Sequence, residues 1–139
     1  MFFNKKKKEE KPKETKKEVL KKNLIEQCNQ NVAGIILKVA KKREELYHLK
    51  KVPEDREEDV DSMFERMVLY IQRVDWEEQI DKAISNACLQ DVDGKFNKEF
   101  PDPDTVKFLL NLFWQDIKIC MNDMMYVIDH MLIKEERET

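Results

Sequence analysis

Residues 105–133 read TVKFLLNLFWQDIKICMNDMMYVIDHMLI. Nineteen of these 29 residues are apolar, and neither glycine nor proline interrupts them, so the stretch reads as one long helix. Val106, Leu109, Phe113, Ile117, Cys120, Met124, Val127 and Met131 recur at steps of three and four, the a/d spacing of a coiled coil. Around that seam stand further apolar residues: Leu110, Trp114, Met121, Met125, Ile128 and Leu132. The polar residues gather into a stripe of Lys107, Asn111, Lys118, Asn122 and Asp129, with Gln115, Asp116, Asp123 and His130 nearby. A helix wetted on only about a third of its circumference has to be covered on the rest. The fold is therefore expected to be helices packed on this helix.

Two helices in a chain of 139 residues can cover only part of so wide an apolar face. The surplus is expected to contact a second copy or a partner protein through Leu110, Phe113, Trp114, Ile117, Met121, Met125 and Leu132, because aromatic residues and methionine are enriched at such contacts. The plainer reading makes the same helix the centre of a monomeric bundle.

Upstream of this stretch, Asp102-Pro103-Asp104 is a helix start, with Asp102 as the cap and Pro103 in the first turn. The segment from Asp91 to Asp102, with Asp93-Gly94, Pro101 and Pro103, reads as an inter-helix loop. Before it, Val60, Phe64, Met67, Ile71 and Val74 mark one face of a helix that opens at Pro53 with five acidic residues, Glu54, Asp55, Glu57, Glu58 and Asp59, near its positive N-terminal end. The rhythm then slips to Ile80, Ala83, Ile84, Ala87 and Cys88. Asp75 and Glu78 have the spacing of a capping box. The second helix is thus expected to kink or break near Val74–Trp76. The first helix starts at Thr15, where Thr15 and Glu18 form another capping-box pattern, and runs on Leu20, Leu24, Cys28, Val32, Ile35 or Ile36, Val39, Leu46 and Leu49. Lys50 and Lys51 suit its negative end, and Pro53 stops it. The expected architecture is all-α: an antiparallel bundle of three long helices, or four if the second breaks, occupying residues 15–139.

Residues 1–14 form a lysine-glutamate arm of low complexity that cannot bury a core and is expected to be flexible. Charge divides accordingly. The first 22 residues carry ten lysines against four glutamates, while the remaining 117 carry 16 basic and 25 acidic side chains. An acidic body repels nucleic acid and anionic membranes, and the arm attracts both. Lys5, Lys6, Lys7, Lys8, Lys11, Lys13, Lys16 and Lys17 are the candidate contacts to phosphates or to an acidic partner, with Phe2 and Phe3 as apolar anchors at a membrane surface. The interleaved glutamates weaken both ideas, and the plainer reading is a solubilising tail.

Little in the sequence carries chemistry. Glu45 and His48 have the ExxH spacing of a di-iron bundle, but the other histidine, His130, has Val127 where the matching glutamate belongs, so a solvated surface pair is expected and no metal. Residues 91–97 echo a calcium loop around Gly94, but Leu89 and Phe100 stand where its first and last ligands belong. The two serines, Ser62 and Ser85, have no nucleophile elbow, and no glycine loop could cradle a phosphate. Cys28, Cys88 and Cys120 are odd in number and lie at apolar helical positions, which points to reduced thiols filling a core in a cytoplasmic setting. No run of about 18 apolar residues suggests a membrane span, and no secretory signal is visible. The expected function is a non-catalytic assembly or adaptor subunit with no cofactor. A nucleic-acid accessory tethered by the arm is the alternative, and a peripheral membrane protein is the weaker third.

Overall fold

A computed structural model describes residues 14–89, Gly94 and residues 101–133. Four helices pack against one another, with no strand among the described residues: α1 (Lys16–His48), α2 (Glu57–Gln72), α3 (Trp76–Leu89) and α4 (Pro103–Val127). A single 3-10 turn, Glu54–Arg56, leads into α2, and a π-helical turn, Ile128–Leu132, prolongs α4. The basic arm up to residue 13 and most of the segment from 90 to 100 lie outside the described residues.

Short-range polar chemistry sets the helix starts. The Thr15 hydroxyl accepts the Glu18 backbone N–H at 3.1 Å. Asp75 Oδ1 accepts the Glu78 N–H at 3.1 Å and opens α3. Asp102 accepts both the Asp104 N–H, at 3.2 Å, and the Thr105 hydroxyl, at 2.8 Å. Each carboxylate or hydroxyl satisfies an N–H that the helix cannot pair internally. The second helix therefore breaks, and the bundle has four helices: α2 ends at Gln72, and Asp75 starts a new helix three residues later.

The end of α1 differs from its expected place. The helix stops at His48, and Lys50 takes a left-handed φ of 56°. The Lys51 N–H then reaches back to the Leu46 carbonyl at 2.9 Å, and the Lys50 N–H to that of Tyr47 at 3.1 Å. This is the closing pattern that usually employs glycine. Leu49 is consequently turned half out to solvent instead of extending the apolar face.

The helices form a three-rod bundle in which α2 and α3 share one rod. Lys21 near the start of α1 pairs with Asp81 of α3 at 2.9 Å, and Arg43 near its end pairs with Asp61 of α2 at 3.0 Å, so α1 runs antiparallel to that rod. Trp76 of α3 stacks on Trp114 of α4, with ring centroids 4.3 Å apart, and meets Phe113 edge-on at 5.5 Å. α1 and α4 run alongside each other, with Lys42 3.6 Å from Asp129. The core between them holds Leu24, Cys28, Val39 and Leu46 of α1, Val60, Phe64, Met67 and Ile71 of α2, and Trp76, Ile80, Ala83, Ile84 and Ala87 of α3, while Val74, the fifth apolar marker of the second helix, is half-buried just beyond the end of α2. No polar or charged residue is buried among the described residues. One polar atom is an exception within an apolar ring system: Trp76 Nε1 is buried without a hydrogen-bond partner, a cost of about 1–3 kcal/mol.

On α4 the inner face is rotated from the expected one. Val106, Leu110, Trp114, Ile117, Met121 and Ile128 are buried. Leu109, Cys120 and Val127 are only half-buried, and Met131 is exposed. The stack of Trp114 on Trp76 places that ring inward, and the residues on its side of the helix follow it.

Candidate interaction face on the last helix

Seven residues of α4 and its final turn were expected to face a partner, and the structure divides them. Leu110, Trp114, Ile117 and Met121 lie in the chain's own core, while Phe113, Met125 and Leu132 are half-buried and packed against it. In this conformation the first four are each 7% exposed or less. The apolar surface that α4 does present is a different set: Phe108, Leu112, Ile119 and Tyr126 are 60%, 48%, 58% and 61% exposed.

These four are not scattered. Phe108, Leu112, Gln115, Ile119, Asn122 and Tyr126 succeed one another at steps of four, three, four, three and four. At 3.6 residues per turn such a series stays on one line along the helix. That line lies on the side of α4 opposite the buried face, and its Asn122 also borders the groove between α4 and α1. Asp116 and Asp123 flank it on one side, and Asn111 and Lys118 on the other. At its lower end the Tyr126 ring lies 4.2 Å from that of His130. The spacing is present in the sequence, but Gln115 and Asn122 interrupt the apolar members, and Asn122 also belongs to the polar stripe.

Elsewhere the polar groups act as fasteners between helices. Tyr47 donates to Asp61 Oδ1 at 2.8 Å while Arg43 Nε donates to the same oxygen at 3.0 Å. Burial, then the Asp61 carboxylate, push the Tyr47 phenol up to about 12. Arg43 also lies 4.9 Å over the Tyr47 ring. The hydrogen bond to Asp81, with Glu77 adding to it, raises the Lys21 ammonium. Contact with Cys120, then burial, raises Tyr70. Burial raises the Cys28 thiol, so it is a packed hydrophobe and a poor nucleophile at neutral pH. Cys88 and Cys120 are free and half-buried.

The remaining candidates are placed as follows. Glu45 and His48 are both exposed at the end of α1, and no group of three potential metal ligands forms among the described residues. Gly94 has the positive φ, 68°, of a turn glycine, while the rest of the calcium-like loop lies outside the described residues apart from Leu89. Lys16 and Lys17 open α1, and Lys5, Lys6, Lys7, Lys8, Lys11 and Lys13 lie outside the described residues. Between α1 and α4 runs a groove of about 500 Å³, floored by Ile35, Val39, Met67, Met121 and Met125 and edged by Lys38, Lys42 and Lys118. No described helix is long and apolar enough to cross a membrane.

Known proteins add nothing to this geometry: no protein-family model, characterised protein or solved structure matches the chain.

Proposed function

We propose that this chain is a non-catalytic assembly or adaptor subunit that binds another helix along the outer face of α4. The observation that carries the reading is the line Phe108, Leu112, Ile119 and Tyr126, each about half exposed or more. Single exposed apolar residues are ordinary on a protein surface, but several of them aligned along one helix face mark a contact. Coiled-coil spacing makes a helix the fitting partner. Three free cysteines suit a reducing, cytoplasmic setting for it.

The test is affinity capture from the source cells with the full chain and with a Leu112→Glu/Ile119→Glu variant. The variant is expected to stay folded by circular dichroism and to lose the proteins that the unaltered chain retains. Retention of the same proteins by the folded variant would move the contact elsewhere.

The ten lysines among residues 1–22 support a second reading, a nucleic-acid accessory held by its arm. It expects a DNA or RNA gel shift that fades with salt and disappears when residues 1–17 are deleted. The same deletion tests the third reading, adhesion to anionic membranes, by liposome flotation.

A further inference from the structure

The outer line of α4 carries more than apolar surface: its polar members and its flanks specify who the partner is. Leu112, Ile119 and Tyr126 stand seven residues apart, and so do Phe108, Gln115 and Asn122. The two series interleave as the a and d positions of a heptad repeat. We infer that this face pairs with the same face of a second copy of the chain, parallel and in register, each heptad position meeting its own kind. The inference rests on the proposed function and narrows it to self-association.

Two observations fix the partner and its direction. The first is charge. Lys118 flanks the line on one side, Asp116 and Asp123 on the other, and neither Lys118 nor Asp123 has an ionic or hydrogen-bonding partner among the described residues. In a parallel pair the two flanks cross, so Lys118 of each copy faces Asp123 of the other, and symmetry makes the contact twice. In an antiparallel pair like flanks meet, lysine against lysine and aspartate against aspartate.

The second observation is the placement of the amides. In parallel register Gln115 meets Gln115 and Asn122 meets Asn122, so each side chain has both a donor and an acceptor opposite it. An antiparallel pair centred on the same line sets Asn122 against Leu112 and Gln115 against Ile119, and leaves the amides facing hydrocarbon. Polar residues at core positions of a coiled coil select register in this way, at a cost in stability. The acidic surplus of the body opposes close approach, so the pair is expected to be reversible.

Sedimentation of the full chain over a wide concentration range should move from the 16.8 kDa of one chain toward twice that mass. Ile119→Glu should hold it at the single-chain mass. Lys118→Asp and Asp123→Lys should each weaken pairing by about tenfold, and the two together should restore it, because the pair is then reversed but still opposite in sign. Direction is read by oxidative cross-linking, with the unaltered chain as the control for its own cysteines. Asn122→Cys should cross-link to itself, and a mixture of Phe108→Cys and Tyr126→Cys chains should form no mixed dimer. Should the cysteine variants misfold, the charge reversal decides alone, since Lys118 and Asp123 are on the surface. A single-chain mass at every concentration overturns the inference. So does a dimer indifferent to Ile119→Glu, one that yields the Phe108–Tyr126 mixed cross-link, or one that the double reversal fails to restore. Capture of a different protein lost with Leu112→Glu/Ile119→Glu, alongside a monomeric chain, would leave the proposed function standing and refute only self-pairing.

Discussion

One helix, α4, carries two seams back to back. The inner one, Val106, Leu110, Trp114, Ile117, Met121 and Ile128, is buried and wholly apolar. The outer one, Phe108, Leu112, Gln115, Ile119, Asn122 and Tyr126, alternates apolar with amide residues and stands open to solvent. Both have helical spacing, and apolar count alone does not tell them apart. What separates them is the presence of polar members. A seam made inside a single chain has its register fixed by the covalent connections and needs no polar marker. A seam between molecules has to find its register, and an amide at a core position penalises the wrong ones. Inner-seam substitutions should therefore be felt in unfolding and outer-seam substitutions in association.

The largest separation is expected at Trp114. Its ring stacks on Trp76 and is 6% exposed, so Trp114→Ala removes a buried aromatic and leaves a cavity that α1 and α3 cannot fill. A loss of about 3–5 kcal/mol is expected in urea unfolding. A loss below about 1 kcal/mol would break the assignment of this face to the core.

How far these seams could be read from the sequence depends on how much of each helix is apolar. On α2 the stripe is narrow, and Val60, Phe64, Met67 and Ile71 are the buried residues the spacing predicts. The caps at Thr15, Asp75 and Asp102 were equally legible, because a cap depends only on residues three or four apart. α4 is apolar on three sides, so its periodicity fixes a helix without fixing which side faces in. The inward rotation comes from Trp76, a residue nearly forty positions away that the pattern on α4 cannot register. The end of α1 escaped for a different reason: its closing turn uses Lys50 in a left-handed conformation that sequence reading reserves for glycine or asparagine. Of the seven candidate contact residues, Leu110, Trp114, Ile117 and Met121 lie on the inner side of the wide apolar belt of α4, and the outer line is interrupted in the sequence by its two amides.

A smaller effect, common to both seams, is expected from the cap of α4. Asp102 holds the Asp104 N–H and the Thr105 hydroxyl, one turn before inner Val106 and outer Phe108. Asp102→Ala should cost about 1 kcal/mol of stability. It should weaken pairing only slightly, since Ile119 and Tyr126 lie several turns away. Strong loss of pairing with intact stability would show that the first turn, and not the line, makes the contact.

Away from both seams, Tyr47 gives the scale of a polar fastener. Its phenol, ordinarily near 10, is pushed up to about 12 by burial and by donating to Asp61. Between pH 10 and 12 the unfolded chain has released this proton while the folded chain keeps it, so stability falls as pH rises through that window and is whole below it. Tyr47→Phe should lower stability at neutral pH by about 1 kcal/mol. It should also flatten the alkaline decline and remove a phenol step near pH 12 from an absorbance titration. An unchanged alkaline decline would assign that decline to another group.

The smallest effect on folding is expected on the outer seam, where it has the most to say. Leu112 is 48% exposed, so in a lone chain it has already surrendered about half of what burial could give. Alanine loses the remaining contacts but is the better helix former, and the two changes oppose each other. Leu112→Ala should therefore alter unfolding by less than about 0.5 kcal/mol in dilute solution. In a pair the same side chain is enclosed at an a position, and its removal should be felt in full. A chain that pairs unfolds at a temperature that climbs with protein concentration, because only the folded state associates. Leu112→Ala should flatten that climb while leaving its dilute limit in place. If the dilute limit itself fell by as much as an inner substitution lowers it, Leu112 would belong to the fold, and the two seams of α4 would be one.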